Sequence, residues 1–489
     1  MMSASTGRLL LQAQERDLTG WGLRDVAHAP VVTPQSADEL VEALAAAARE
    51  GRTVCLRAGG NSYGDAALLD GALTLDSTAL DGILAWDATT GVATVEPGVT
   101  VERLWRRILP DGWRPAVTPG RSGVTMAGAA AANVHGKNNW RVGCFGDHIP
   151  SFELALPSGQ RVTCSRQENP DLFAATIGGM GLLGAITQMT LQTARVASGL
   201  VAERQTAHGS LAALLDAFEA AKSTASDLVG WVDTSARGAA LGRGLLGASR
   251  DLEPGEDAHA AETLRAAWER WPGPPARALR ALPAGLIPAL AHPLTTPLGV
   301  WAANRAQWTR GSLARADHWR RMTYPAANFP LDVIPNWRDT YRPGGLIQHQ
   351  AFIPQAAALK AFRELLARSQ AAGYTPSLGV LKAQRAAEDF TLSYLVDGYS
   401  LALDFPVRRQ REAGLLRLLR ELNELTLDYG GRLYFAKDST LTPEQTARML
   451  PAARFARFAA LKAQVDPRET LQSALYLRAL RPALRLDAL

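Results

Sequence analysis

The chain has 489 residues, 47% of them hydrophobic and 20% charged, which is too long for one core and too apolar for compositional disorder. Its 52 Lys+Arg nearly balance 47 Asp+Glu, leaving a net charge of +5 without a long basic run, so no nucleic acid is expected as a partner. Cys55, Cys144 and Cys164 are odd in number and show no CxxC spacing, which argues against a disulfide framework or a zinc site and for a reducing, cytoplasmic setting.

The start, "MMSASTGRLLLQAQERD", lacks the apolar core of a secretory signal and reads as soluble. "SADELVEALAAAAREG" predicts a helix capped by Ser36, with Glu39 at the capping-box position and Gly51 at its end. "RTVCLR", "ALTLD", "GILAWD" and "VATVEPG" predict short strands, and "TVERLWRRIL" a helix from Thr100. "GDHIPSFELALPSGQRVTC" predicts a hairpin turning at Pro157 to Gly159, and "DLFAATIGGMGLLGAITQMTLQ" a helix, a Gly-rich turn and a strand. A G-x-G-x-x-G match from Gly179 has no helix after it, so a Rossmann reading fails.

Three backbone-rich stretches stand out in this first part: "RAGGNSYGD" from Arg57, "PGRSGVTMAGAAAANVHGK" from Pro119, and "GGMGLLGAIT" from Gly178. Bare backbone in such turns makes nests for phosphate oxygens and lets the chain approach a flat ligand closely. A dinucleotide is the natural candidate, although the small-residue run would also serve tight helix packing.

A strand and the helix "SLAALLDAFEAAKS" open a second unit near residue 198. From 235 to 321 the composition turns to Arg, Pro, Ala and Trp. Between Ala281 and Asn304 no residue is charged, but Pro283, Pro288, Pro293 and Pro297 rule out an unsupported spanning helix. Gly273 to Arg321 holds seven Arg against one Asp, with Trp301, Trp308 and Trp319. Such an insertion suits contact with lipid headgroups or an apolar substrate, or ordinary packing on the domain.

Strand "LIQHQAFIP", helix "PQAAALKAFRELLARSQAAG", strands "SLGVLKAQ" and "YSLALDFPV", helix "REAGLLRLLRELNELTLDYGG" and strand "RLYFAKDS" follow. Two helices, "TPEQTARML" and "RFAALKAQ", are expected to finish the chain. The pattern is α+β, an antiparallel sheet with helices on one face.

The order G-G-x-S-Y-G-D, then P-G with a small-residue run ending in H-G-K-N, then G-G-x-G-L-x-G-x-I, resembles the FAD-binding (PCMH-type) domain of the vanillyl-alcohol-oxidase flavoproteins. "GGLIQHQAFIP", "LALDFP" and "GGRLYFAKDS" are similar to the decaprenylphosphoryl-β-D-ribose 2-oxidase family. The resemblance implies a two-domain flavoprotein: an FAD domain over 1–197, a substrate domain over 198–427 carrying the 235–321 insertion, and a returning segment over 428–489. It implies that Arg57, Ala58, Gly59, Gly60, Asn61, Ser62, Tyr63, Gly64 and Asp65 wrap the FAD pyrophosphate. Gly120, Thr125, Met126, Ala127, Gly128, Ala132, Asn133, Val134 and His135 would line the rest of the cofactor path, with Ile186 near the adenine and Tyr434 near the flavin.

The same resemblance turns Tyr63, His135, Gln348, Gln350, Lys382 and Lys437 toward the substrate, and aligns Ser400 with the substrate strand. Six lysines stand among 46 arginines, so a Lys inside a motif suggests a tunable ammonium. Lys437 leads as the group that deprotonates the substrate hydroxyl, with Lys382 and His135 as alternatives. Members that attach flavin covalently carry a His after the two glycines. Asn61 stands there in this chain, which implies non-covalent FAD. Ser400 and Ala402 occupy positions where mycobacterial members have Asn and Cys, so thiol-directed inhibitors should not attach. The expected reaction is oxidation of a sugar hydroxyl, foremost the ribose 2′-hydroxyl of a lipid-linked sugar; the alternative is an alditol or aldonolactone oxidase. The resemblance leaves room for a partner keto-reductase and for peripheral contact with the inner face of a membrane.

Overall fold

The computed structural model describes residues 13–269, 271, 281–283, 285–313 and 318–486, so part of the 235–321 insertion and the first twelve residues lie outside the described residues. Ser36, in extended backbone, accepts from the Glu39 N–H and caps the helix Ala37–Arg49, and Gly51 leaves it at φ +68°. That helix links two strands of a four-stranded sheet ordered Gln14–Thr19, Val26–Val32, Leu73–Asp76, Val54–Arg57. Its first pair is antiparallel and its other neighbours are parallel. A second, antiparallel sheet runs Ile83–Asp87, Val92–Val95, Ala185–Gln192, Ser151–Ala155, Arg161–Ser165. The Gly-rich turn at 178–181 leads into the strand Ala185–Gln192.

The third sheet has eight antiparallel strands in the order Arg320–Thr323, Leu200–His208, Gly244–Asp251, Asp227–Val232, Leu378–Gln384, Gly398–Pro406, Leu346–Pro354, Arg432–Leu433. Strand alternation divides its faces. Leu381, Leu401, Leu403, Ile347 and Ala351 pack with Phe218, Phe362, Leu365, Leu419 and Leu422 of the helices Leu211–Ala221, Gln355–Ala371 and Glu412–Asp428. The opposite face carries Lys382, Ser400, Asp404, Gln348 and Gln350.

Two expectations are corrected. "RLYFAKDS" is a strand only at Arg432–Leu433. Beyond it the Lys437 and Asp438 N–H groups turn back onto the Tyr434 carbonyl, and Asp438 Oδ1 accepts from the Thr440 and Leu441 N–H groups, a side-chain turn that competes with a ladder. The chain also gains a third closing helical segment, Tyr476–Leu480 continuing as Arg481–Leu486. Residues 470–472 return to the first sheet, where Val54 N–H meets Thr470 O at 2.7 Å and Gln472 N–H meets Val54 O at 2.9 Å. No helix among the described residues is long and apolar enough to cross a membrane.

Candidate active site

Two adjoining cavities share Ala58, Ser62, Ala67, Gly128 and Ala132 as common wall. The smaller is lined from the three backbone-rich segments, by Arg57, Ala58 and Ser62, by Ala127, Gly128 and Ala132, and by Met180, Gly181 and Ile186. The larger opens onto the free face of the eight-stranded sheet. Small side chains bring this backbone close, as the run from Met126 to Ala131 folds into one short helix. Two observations fit a flat, elongated cofactor. Gly120, on the wall of the larger cavity, has open space where a Cβ would stand, and Thr176 Oγ1, on the wall of the smaller, is buried without a protein partner.

The "RAGGNSYGD" loop is held by its own polar groups. Gly60 sits at φ +60°. Asn61 Nδ2 donates to Gly59 O and to Gly123 O, both at 3.0 Å, tying the loop to the second Gly-rich stretch. The Arg57 guanidinium donates to Thr19 O at 2.9 Å and Ala67 O at 3.2 Å. The Tyr63 N–H donates to Ala436 O at 2.8 Å, which docks the loop on the turn that carries Lys437. Lys437 Nζ consequently lies 3.5 Å from the centre of the Tyr63 ring.

Cross-strand registry assembles the floor of the larger cavity. Gln348 pairs with Asp404, Gln350 with Ala402, Lys382 with Ser400, and Leu378 with Asp404, so their side chains share one face. Gln348 Nε2 donates to Asp404 Oδ1 at 2.5 Å, while Asp404 Oδ2 is buried without a partner. Burial pushes the Asp404 carboxyl above the usual carboxylate range. Burial also lowers Lys437, an effect that the Asp404 charge opposes and the nearby Lys382 and Arg121 charges reinforce. Lys382 falls to about 8, through burial first and the Lys137 charge second.

His135 is 5% exposed and packs edge-on against Phe352, Tyr394 and Tyr434, with ring centres 5.4–6.1 Å away. Burial first, and the neighbouring Lys382 and Lys437 next, hold its pKa well below the ordinary value, so it is neutral near pH 7. Its Nε2 lies 3.1 Å from Gln350 Nε2 and its Nδ1 3.5 Å from Gln384 Nε2. A neutral imidazole offers one acceptor and one donor, and the Gly136 backbone also hydrogen-bonds this ring. Ser400 Oγ accepts from Gln384 Nε2 at 2.8 Å and lies 3.4 Å from Gln350 Nε2.

Of the residues singled out from sequence, Arg57, Ala58, Ser62, Ala127, Gly128, Ala132 and Ile186 line the smaller cavity. Gly59, Gly60, Asn61, Tyr63, Gly120, Thr125, Val134, His135, Gln348, Gln350, Lys382, Tyr434 and Lys437 line the larger. Five stand behind the walls. Gly64 packs against the Asp438 backbone, and Asp65 is paired with Arg478 at 2.9 Å. Met126 is in the core, Asn133 Oδ1 accepts from Gly146 N–H at 2.9 Å, and Ser400 braces the two glutamines. Sequence reasoning overlooked Asp404, Arg121 and Lys137, all on the wall of the larger cavity. The signal for Asp404 was present: a lone carboxylate in the apolar strand "SLALDF", in phase with Ser400.

A model of the FAD-binding domain family matches residues 28–165. The chain is 31% identical over 457 residues to a decaprenylphosphoryl-β-D-ribose oxidase of Mycolicibacterium smegmatis, covering 92% of this chain and 94% of that one. The chain belongs to the decaprenylphosphoryl-β-D-ribose oxidase family. As a member of that family it is a two-domain α+β flavoprotein and an FAD-dependent oxidoreductase. It is also 32% identical over 172 residues to an L-gulono-1,4-lactone dehydrogenase of Mycobacterium tuberculosis, covering 33% of this chain and 37% of that one. A xylooligosaccharide oxidase of Thermothelomyces thermophilus is 28% identical over 167 residues, 34% of this chain and 33% of that one. The residues lining the smaller cavity would hold the adenosine and pyrophosphate portions of FAD. Those around Gly120, Val134, His135 and Tyr434 would hold its ring system.

Proposed function

We propose that this flavoprotein oxidises the 2′-hydroxyl of a polyprenylphosphoryl-β-D-ribose to the ketone. The observation that carries the reading is the lining of the larger cavity, where Lys137 and Lys382 stand beside an apolar wall of Val229, Pro330, Leu331, Leu378 and Val380. Cations against apolar surface suit a phosphodiester with a hydrocarbon tail, which a free polyol would leave unused. FAD, when bound, supplies the acceptor for the hydride leaving the carbinol carbon. Lys437 Nζ, brought toward neutrality by burial, takes the hydroxyl proton. The Tyr63 ring at 3.5 Å and the Asp404 carboxylate then stabilise the ammonium formed. His135, neutral and gripped by two glutamines, orients the sugar, and Lys382 holds the phosphate. The keto product would pass to a partner keto-reductase.

Oxidation of a small alditol or aldonolactone is the second reading, favoured by the likeness to the L-gulono-1,4-lactone dehydrogenase over a third of the chain. The test is anaerobic bleaching of the bound flavin with a polyprenylphosphoryl ribose against free polyols and lactones. Bleaching by the lipid-linked sugar is expected, and bleaching by the soluble compounds alone would overturn the assignment.

A further inference from the structure

Exposed apolar side chains line the uncharged stretch from Ala281 to Asn304. Leu282, Leu286, Leu290, Leu294 and Leu298 recur every fourth residue, Trp301 follows, and all six are exposed, Leu290 to 70% and Leu298 to 73%. Leu286 and Leu290 ride on the helix Leu286–Ala291, Leu294 on the turn His292–Thr295, and Leu298 and Trp301 on the helix Pro297–Leu313, with Leu282 just ahead of them. Within each helix a spacing of three or four keeps the two side chains on one side. Of nine large hydrophobics exposed among the described residues, seven lie between Leu282 and Leu313. That is a contiguous feature rather than the scatter normal for a protein surface.

Trp301 also walls an open groove of about 1080 Å³ together with Arg237, Arg243 and Arg305. Arg243 is committed to Asp233 at 2.7 Å and to the Trp308 ring. Arg237 and Arg305 are exposed and pair with no carboxylate among the described residues. Behind the ridge, the helix Leu286–Ala291 packs on the segment Trp337–Tyr341. His292 Nδ1 is 2.8 Å from Thr340 O, and Trp337 lines the larger cavity. The apolar ridge therefore lies one segment away from the site.

We infer that this ridge docks on an anionic phospholipid bilayer, with its leucines and Trp301 entering the acyl boundary while Arg237 and Arg305 take lipid phosphates. An apolar row flanked by exposed arginines matches the layered chemistry of such a surface. A second copy laid on the same ridge would bring those arginines no acid, because the stretch from Ala281 to Asn304 has none. Docking is read without turnover, so the inference stands apart from the substrate assignment.

The test is cosedimentation of the full-length holoprotein with phosphatidylglycerol vesicles and with pure phosphatidylcholine vesicles. Tight binding to the anionic vesicles is expected, about tenfold or more above the zwitterionic ones. Two variants probe the surface: Leu290→Ser/Leu298→Ser/Trp301→Ser, and Arg237→Glu/Arg305→Glu. Each should weaken anionic-vesicle binding about tenfold or more, while flavin absorbance and melting temperature stay at the parent values because every substituted side chain is exposed. Equal binding to both vesicle types, no binding to either, or binding unmoved by both variants would overturn the inference. So would a wild-type dimer that becomes monomeric in the serine variant, since a second copy would then cover the ridge.

Discussion

Arg478 links the two loops that bring Tyr63 and Lys437 together, and its removal is the sharpest test of how the site is held. Its Nε and Nη2 contact the Asp65 carboxylate at 2.9 and 3.0 Å, Nη2 also contacts Asp438 at 2.8 Å, and Nη1 donates to Leu441 O at 2.7 Å. Asp65 and Asp438 are 14% and 4% exposed at the side chain, and Arg478 is 29% exposed. Arg478→Ala leaves two largely buried carboxylates unpaired, which costs about 3–5 kcal/mol for a fully buried pair. Partial access of water to the guanidinium reduces this to about 2–4 kcal/mol. For a chain of this length the expected fall in melting temperature is about 2–6 °C, read by flavin fluorescence on heating. Anaerobic flavin reduction should slow by about tenfold or more, because small displacements at a reacting centre are costly. Arg478→Lys should recover little, since one ammonium cannot span both carboxylates. A variant that melts and reduces like the parent, or full rescue by Lys, would refute the linking role.

Lys437→Ala should retain FAD and lose flavin reduction by about 10²-fold or more; normal reduction would remove Lys437 as the base. Burial lowers Lys382 to about 8 from 10.5, so the unfolded chain holds the extra proton between those values and stability climbs with pH across that window. Lys382→Met should accordingly melt higher than the parent at pH 7, with the gap narrowing from about pH 8 toward 10.5. A gap that is constant with pH would contradict the buried-ammonium account. Denaturation in acid should release FAD intact into the supernatant, because Asn61 cannot form a histidyl link; yellow colour in the pellet would count against this.

Much of the fold was legible because its elements carry local signals. Ser36, Thr100 and Ser210 cap the helices they were expected to start, and the hairpin turns at Gly159 with φ +88°. The "RLYFAKDS" segment was misjudged because its apolar, aromatic residues suit a strand locally, while Asp438 supplies a competing turn. At the site, the lysines and His135 could be named from motifs, but their protonation could not. That depends on burial by elements far apart in sequence: the strand carrying Lys382 and the turn carrying Lys437 both bear on His135. Asp65 illustrates the reverse case. It looked like part of a phosphate-binding loop, and only the distant Arg478 shows where its charge goes.

The hydrogen bond from Tyr63 N–H to Ala436 O has a bearing on biogenesis. One wall of the larger cavity is made early in translation, but its partner wall emerges more than 370 residues later. Until residues 434–478 leave the ribosome, the "RAGGNSYGD" loop lacks both its backbone acceptor and Arg478. Cofactor capture should therefore be a late, post-synthetic event, and nascent chains halted before that point should remain colourless.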